Sequence, residues 1–275
     1  MKITVIGLGW FGAEFARQLR DVHEITGTKT TAEGASALCA EGIDAVHLSL
    51  NPEWSASAAV TEKLTSADVA VINIPPPRGT ADAPAFYARQ SEAICRRLNA
   101  GNAKHVVFIS STGVFGANQL RCDEDTVPAP SRGAGRILLD AERYFSAHFA
   151  GRVSVIRPGG LCGEDRFPGR FLAGRRDVAG RLHPVNLVHR TDLIALTRAV
   201  AEGEFDRRIF HAVAREHPNK EEFYTRAALA LGLAPPVFDP ADDSEGKYIS
   251  AEKSKQATGA AFRYDDPFAM LADVG

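Results

Sequence analysis

Residues 1–12 read Met-Lys-Ile-Thr-Val-Ile-Gly-Leu-Gly-Trp-Phe-Gly. The apolar Ile3, Val5 and Ile6 give way at once to Gly7-x-Gly9-x-x-Gly12, and Ala13, Phe15, Ala16 and Leu19 then recur at helical spacing. Strand, glycine turn and helix in that order make a cradle for a dinucleotide pyrophosphate. Gly7 permits the tight turn, Gly9 lets the backbone approach the phosphates, and Gly12 lets the helix lie close on the strand. The N–H groups that open the helix face the anion, and the helix dipole adds to the attraction. Trp10 and Phe11 lie in the same loop and first turn, so they count among the expected cofactor contacts.

Outward from this loop, strand and helix patterns alternate. Residues 24–28 read as a second strand, 32–41 as a helix, and 44–50 as a third strand. Residues 68–74 form a near-continuous apolar run, as a parallel strand covered on both faces requires. The run ends in Pro75-Pro76-Pro77, which no helix continues. Ligands of such sheets sit beyond the carboxyl ends of the strands, so Asn73, Ile74 and Pro75 are expected to border the adenosine half of the cofactor; a stiff connector is the alternative. A helix over 84–99, a strand over 106–109 ending in Ser110-Ser111-Thr112, a helix over 133–149 and a strand over 153–156 continue the alternation. The fold class is therefore α/β, a doubly wound parallel Rossmann sheet with helices on both faces. From Arg157 the texture turns rich in Gly and Arg, which argues for a small C-terminal α/β lobe. The expected domains are 1–165 for the nucleotide-binding part, with 185–205 returning to it, and 166–275 mainly for the lobe.

The end of the second strand bears on which dinucleotide is bound. An NAD-specific site usually places an acid there, on the ribose 2′-hydroxyl. This chain has Thr28-Lys29-Thr30. A carboxylate would repel a 2′-phosphate, whereas a lysine between two hydroxyls can bind one. NADP is expected in preference to NAD, unless Lys29 is only a solvated loop residue.

Composition excludes several classes. The 275 residues carry a net charge of −2, which gives no reason to expect a nucleic-acid or membrane-surface partner. No apolar run is long enough to cross a bilayer, and a strand that begins at Ile3 leaves no room for a signal peptide, so a cytoplasmic location is expected. Cys39, Cys95, Cys122 and Cys162 are far apart and form no C-x-x-C pair, and the histidines show no ligand spacing, so no metal site is expected.

Five segments carry a family resemblance: GLGWFG from Gly7, ISSTGVFG from Ile109, DEDTVPAP from Asp123, RPGGLCG from Arg157 and NLVHRTDL from Asn186. With them the chain resembles the extended short-chain dehydrogenase/reductases of the NAD(P)-dependent epimerase/dehydratase group, over nearly its whole length. GLGWFG, GTKT and NLVH look most like the YeeZ-like bacterial proteins, an atypical subgroup. The resemblance implies cofactor contacts at Ser110 and Pro158. It also implies a catalytic Ser at Ser111, unless these hydroxyls only cap a strand end, and a homodimer built on the helices over 84–99 and 133–149.

In that family a Tyr exchanges the proton, and a Lys four residues later holds the cofactor ribose. Alignment puts Arg132 and Arg136 at those two positions. Arginine stays protonated, so Arg132 cannot act as a proton-exchanging group. It can polarise an oxygen or anchor an anion as a fixed charge, and Arg136 can take the Lys place at the ribose. Tyr87, Tyr144 and His189 are alternative proton donors, although each sits in a pattern more typical of packing. Arg166, Arg170, Arg175, Arg176 and Arg181 occupy what resembles the family's substrate loop, and either bind an anionic substrate or form a solvated loop. The resulting expectation is an NADP(H)-binding oxidoreductase or epimerase for a small polar, anionic substrate. The alternative is an NADP(H)-binding sensor or regulator without turnover.

Overall fold

The structure is a computed structural model that describes residues 1–77, 79–206 and 208–272. Seven strands, β1 (Lys2–Ile6), β2 (Glu24–Lys29), β3 (Asp44–His47), β4 (Val69–Ile72), β5 (His105–Ile109), β6 (Arg152–Pro158) and β7 (Ile209–Ala212), form one sheet in the order β7-β6-β5-β4-β1-β2-β3. The pairings of β1 with β2 and β4, and of β5 with β4 and β6, are parallel. All residues of β4 and β5 are buried, which is why these segments read as continuous apolar runs. The chain winds outward from β1 to β3, then crosses back to β4 on the other side of β1. That reversal leaves a crevice beyond the carboxyl ends of β1 and β4, where doubly wound sheets bind ligands.

Helices α1 (Trp10–Leu19), α2 (Ala32–Ala40), α3 (Ala58–Thr65), α4 (Ala83–Asn99) and α5 (Gly133–His148) connect the strands. Helices α1, α4 and α5 each bury one stripe, whereas α2 and α3 bury only Ala35 and Leu64. In α5 the stripe is Gly135, Ile137, Leu138, Leu139, Ala141, Glu142 and Phe145, and Phe145 meets Phe108 of β5 with ring centroids 5.4 Å apart. The strand expected over 44–50 stops at His47; Ser49–Leu50 instead pairs antiparallel with Trp54–Ser55 after a turn through Pro52. Helix α3 has no counterpart in the sequence reading, although Ser57 caps it through Val60 N–H.

By internal contacts the chain divides into two units. The first comprises Met1–Val114, Arg132–Ile156 and Val200–Arg208; the second comprises Phe115–Ser131, Arg157–Ala199 and Ile209–Gly275. The second unit thus takes up the chain at Arg157, where the texture changes, and not at 165. It also includes the earlier excursion 115–131, through pairings distant in sequence. Arg121–Cys122 pairs with Tyr248–Ile249, Asp123 and Asp125 meet Lys253, and Glu124 accepts from Ser254 N–H at 2.7 Å.

The second unit has its own core of Cys162, Val185, Leu187, Ala214, Phe223, Ala227, Tyr264 and Met270. Gly160–Cys162 pairs with Leu187–His189. Helices α6 (Arg190–Glu202), α7 (Lys220–Ala230) and α8 (Glu252–Thr258) follow in the chain. The buried Asp192 ties down the C-terminal segment by accepting from Arg263 N–H at 2.7 Å and Tyr264 N–H at 3.0 Å.

Candidate cofactor and active site

The glycine loop shows three distinct geometries. Gly7 has φ +108°, and a Cβ there would stand 2.5 Å from the Asn73 carbonyl oxygen. A Cβ on Gly12 would stand 2.3 Å from the Gly7 oxygen. A Cβ on Gly9 would meet no atom within 4 Å. The first and third glycines are therefore demanded by the fold. The middle one faces open space that the fold leaves unused, which is where the backbone must stay bare for a phosphate to approach. No side chain caps α1, and its first turn holds no acid. These residues fit a dinucleotide pyrophosphate.

Neighbouring strand ends hold the loop. Gly7 N–H donates to Thr28 Oγ1 at 3.0 Å, and Leu8 N–H to the Thr28 carbonyl at 2.8 Å. Asn73 Nδ2 donates to the Gly7 carbonyl at 3.3 Å. Lys29 Nζ donates to the Leu8 carbonyl at 3.2 Å, which sets a positive charge against the glycine loop itself. Thr30 is exposed; Thr28 is buried with its oxygen already accepting from Gly7. The Ile74 carbonyl accepts from the Tyr87 hydroxyl at 2.8 Å, so α4 pins the segment from below and leaves Pro75 exposed.

At the end of β5 the two serines have different tasks. Ser110 is buried and its hydroxyl donates to Glu142 of α5. Ser111 Oγ accepts from Gly113 N–H at 3.0 Å, capping the turn Thr112–Val114, against which α5 packs. Arg132 flanks the start of α5 and Arg136 lies one turn in; both are exposed. Pro158 is buried at the end of β6 and counts with the second unit.

The alternative proton donors are engaged in packing. Tyr87 is 1% exposed, and burial pushes its phenol well above the ordinary range. Tyr144 stacks on His148 at 4.2 Å, and burial raises its phenol too. His189 is buried in the second unit, with its ring 4.0 Å from that of Tyr264 and Nδ1 accepting from Thr191 N–H. In the arginine-rich stretch, Arg181 pairs with Asp243 and Glu221, while Arg170, Arg175 and Arg176 are exposed.

Glu142 is the residue of this region that the sequence reading missed. It falls on the apolar stripe of Leu138, Ala141 and Phe145, and an acid at such a position requires a buried partner. Among the described residues no group of three or more His, Cys, Asp or Glu side chains is placed to hold a metal ion, and no helix is long and apolar enough to cross a membrane.

The fold is the Rossmann-like α/β fold of solved epimerases and short-chain dehydrogenase/reductases. UDP-glucuronic acid 4-epimerase from Bacillus cereus, solved in complex with NAD, superposes with a TM-score of 0.77 at 14% identity, covering 100% of this chain and 96% of that one. UDP-glucose 4-epimerase from Thermotoga maritima, solved with UDP-glucose, gives 0.77 at 15% identity over 99% and 98% of the two chains. A short-chain dehydrogenase/reductase superfamily protein from Agrobacterium tumefaciens with bound NAD gives 0.77 at 17% identity, over 100% and 96%. No protein-family model matches the chain. Protein YeeZ of Escherichia coli K12 is 33% identical over 272 residues, 98% of each chain, and the present chain belongs to the YeeZ family.

Proposed function

We propose that the chain is an NADP(H)-dependent oxidoreductase or epimerase that acts on a small polar, anionic substrate without the Tyr–Lys pair. The observation that carries the cofactor part is the open space over Gly9, flanked by two glycines that admit no side chain. The preference for NADP is supported by the Lys29 ammonium against the loop, with the hydroxyl of exposed Thr30 beside it in sequence. A bound nicotinamide supplies the hydride chemistry. The loop of Gly7, Gly9, Trp10, Phe11 and Gly12 holds the pyrophosphate, and Ile74, Pro75 and Ser110 of the same unit complete the cofactor contacts. Ser111 accepts from Gly113 and still has its O–H to donate to a substrate oxygen. None of the five tyrosines has a lysine four residues on. Arg132 therefore acts as a fixed charge on an oxygen or anion, and Arg136 hydrogen-bonds the ribose.

In this reading the first unit is the nucleotide-binding body and the second the substrate lobe. The protein works in the cytoplasm as a homodimer. A 160 Å³ groove between α4 and α5, lined by Tyr87, Ile137, Ala141 and Tyr144 among others, supports a second copy packing there.

Hydride exchange from NADPH across a panel of carbonyl compounds and nucleotide sugars tests the catalytic reading. Turnover that falls in Ser111→Ala is expected. NADP binding with no exchange on any panel member would favour the second reading, a sensor or regulator. That reading is supported by the capping role of Ser111 and by the packed state of Tyr87, Tyr144 and His189.

A further inference from the structure

The second unit contains a cavity of about 340 Å³ whose charged lining residues are Lys220 and Lys247, with no carboxylate in its wall among the described residues. Phe171 and Tyr224 supply aromatic surface, and His183 and Asn186 supply polar edges. Lys220 opens α7, and its ammonium is held by the Ala179 carbonyl at 2.8 Å rather than by an acid. Asp242, the acid that acts on it electrostatically, is committed to the N–H groups of Gly180 and Ser244. Lys247 Nζ donates to the Phe115 carbonyl at 2.6 Å, which fixes a second positive charge at the same wall. Burial pulls the Lys220 ammonium below the ordinary lysine range. A partly desolvated ammonium carries a cost that a bound anion offsets.

We propose that this cavity binds a phosphate monoester carried on a ring, with Lys220 and Lys247 holding the phosphate and Phe171 and Tyr224 flanking the ring. The size suits such a ligand: pockets for small molecules begin at roughly 300 Å³ and combine apolar walls with few charged groups. The anion therefore meets lysines of the second unit, not the exposed arginines of 166–181. Only the assignment of this ligand as the substrate rests on the proposed reading above. Binding is measured without NADP, so the two fail separately.

The test is calorimetric titration of the full chain with phenyl phosphate, benzoate, phenol and inorganic phosphate. Phenyl phosphate is expected to bind at least tenfold more tightly than phenol or inorganic phosphate, with benzoate between. Lys220→Met and Lys247→Met are each expected to weaken it tenfold or more, while Lys220→Arg restores binding. NADP affinity and the melting temperature of Lys220→Met should match wild type, which separates loss of the site from loss of the fold. Phenol binding as well as phenyl phosphate, or phenyl phosphate binding unchanged in both Met variants, would overturn the proposal.

Discussion

Ser110 at the end of β5 donates its hydroxyl to the carboxylate of Glu142 on α5, and both side chains are buried, at 7% and 3% exposure. The bond links the strand that presents Ser111 to the helix that begins beside Arg132. It fixes the height at which α5 meets the strand end, thirty-two residues away in sequence. Removing either partner deletes a buried hydrogen bond to a carboxylate, at about 1.5–3 kcal/mol. Ser110→Ala and Glu142→Ala are each expected to destabilise by at least that much. A double-mutant cycle in urea should give a coupling of about 1–3 kcal/mol. A coupling near zero would show that the two act independently.

The three loop glycines should respond differently to alanine. At Gly7 and Gly12 the added methyl group collides with backbone oxygens, so both variants are expected to lose stability, and Gly7→Ala also carries the strain of φ +108°. Gly9 has φ −75° and open space, so Gly9→Ala should fold as well as wild type, to within about 1 kcal/mol. Its dinucleotide affinity should nevertheless fall about tenfold or more, as the methyl group stands where the phosphates approach. Melting temperature and titration together separate the two effects.

Lys29 should discriminate between the two dinucleotides. A charge-assisted hydrogen bond to a 2′-phosphate contributes about 1.5–3 kcal/mol, or roughly ten- to a hundredfold in affinity. Lys29→Ala is expected to weaken NADP by that factor and to leave NAD within about twofold. Equal losses for both dinucleotides would remove the assignment.

Acid should weaken the fold through the buried His105 and the half-buried His217. Burial first, then Arg152, lowers His105 to about 4; burial likewise lowers His217 to about 4. Both stay neutral in the fold while the unfolded chain protonates them near pH 6.5. Between about pH 6.5 and 4 the unfolded state therefore binds more protons, and stability falls as pH falls. Asp192 opposes this, since burial raises its carboxyl and the fold takes up that proton more readily. Below pH 4 the salt-bridged Asp123, lowered to about 2 chiefly by its bond to Lys253, adds a further loss. Urea midpoints at pH 7, 5 and 4 should decline in that order, with a shallower slope in His105→Gln.

The doubly wound sheet, the glycine cradle and the family were legible in the sequence, because each rests on local pattern. Apolar runs such as Val69–Ile72 show double burial, and Gly7, Gly9 and Gly12 have the spacing that a strand–turn–helix imposes. Helix α3 was missed because its one buried residue, Leu64, leaves no apolar stripe to read. Lys29 was identifiable as a charge at a strand end. Only the fold shows it resting on Leu8, because that contact depends on how β2 lies beside β1. Glu142 under Ser110, the grip of residues 123–125 on α8, and the meeting of Lys220 with Lys247 around one cavity were likewise decided by tertiary structure. The physical reason is the same in each case. Sequence periodicity records which way a side chain faces along its own element, whereas the partner it finds depends on segments brought together only by burial of the core.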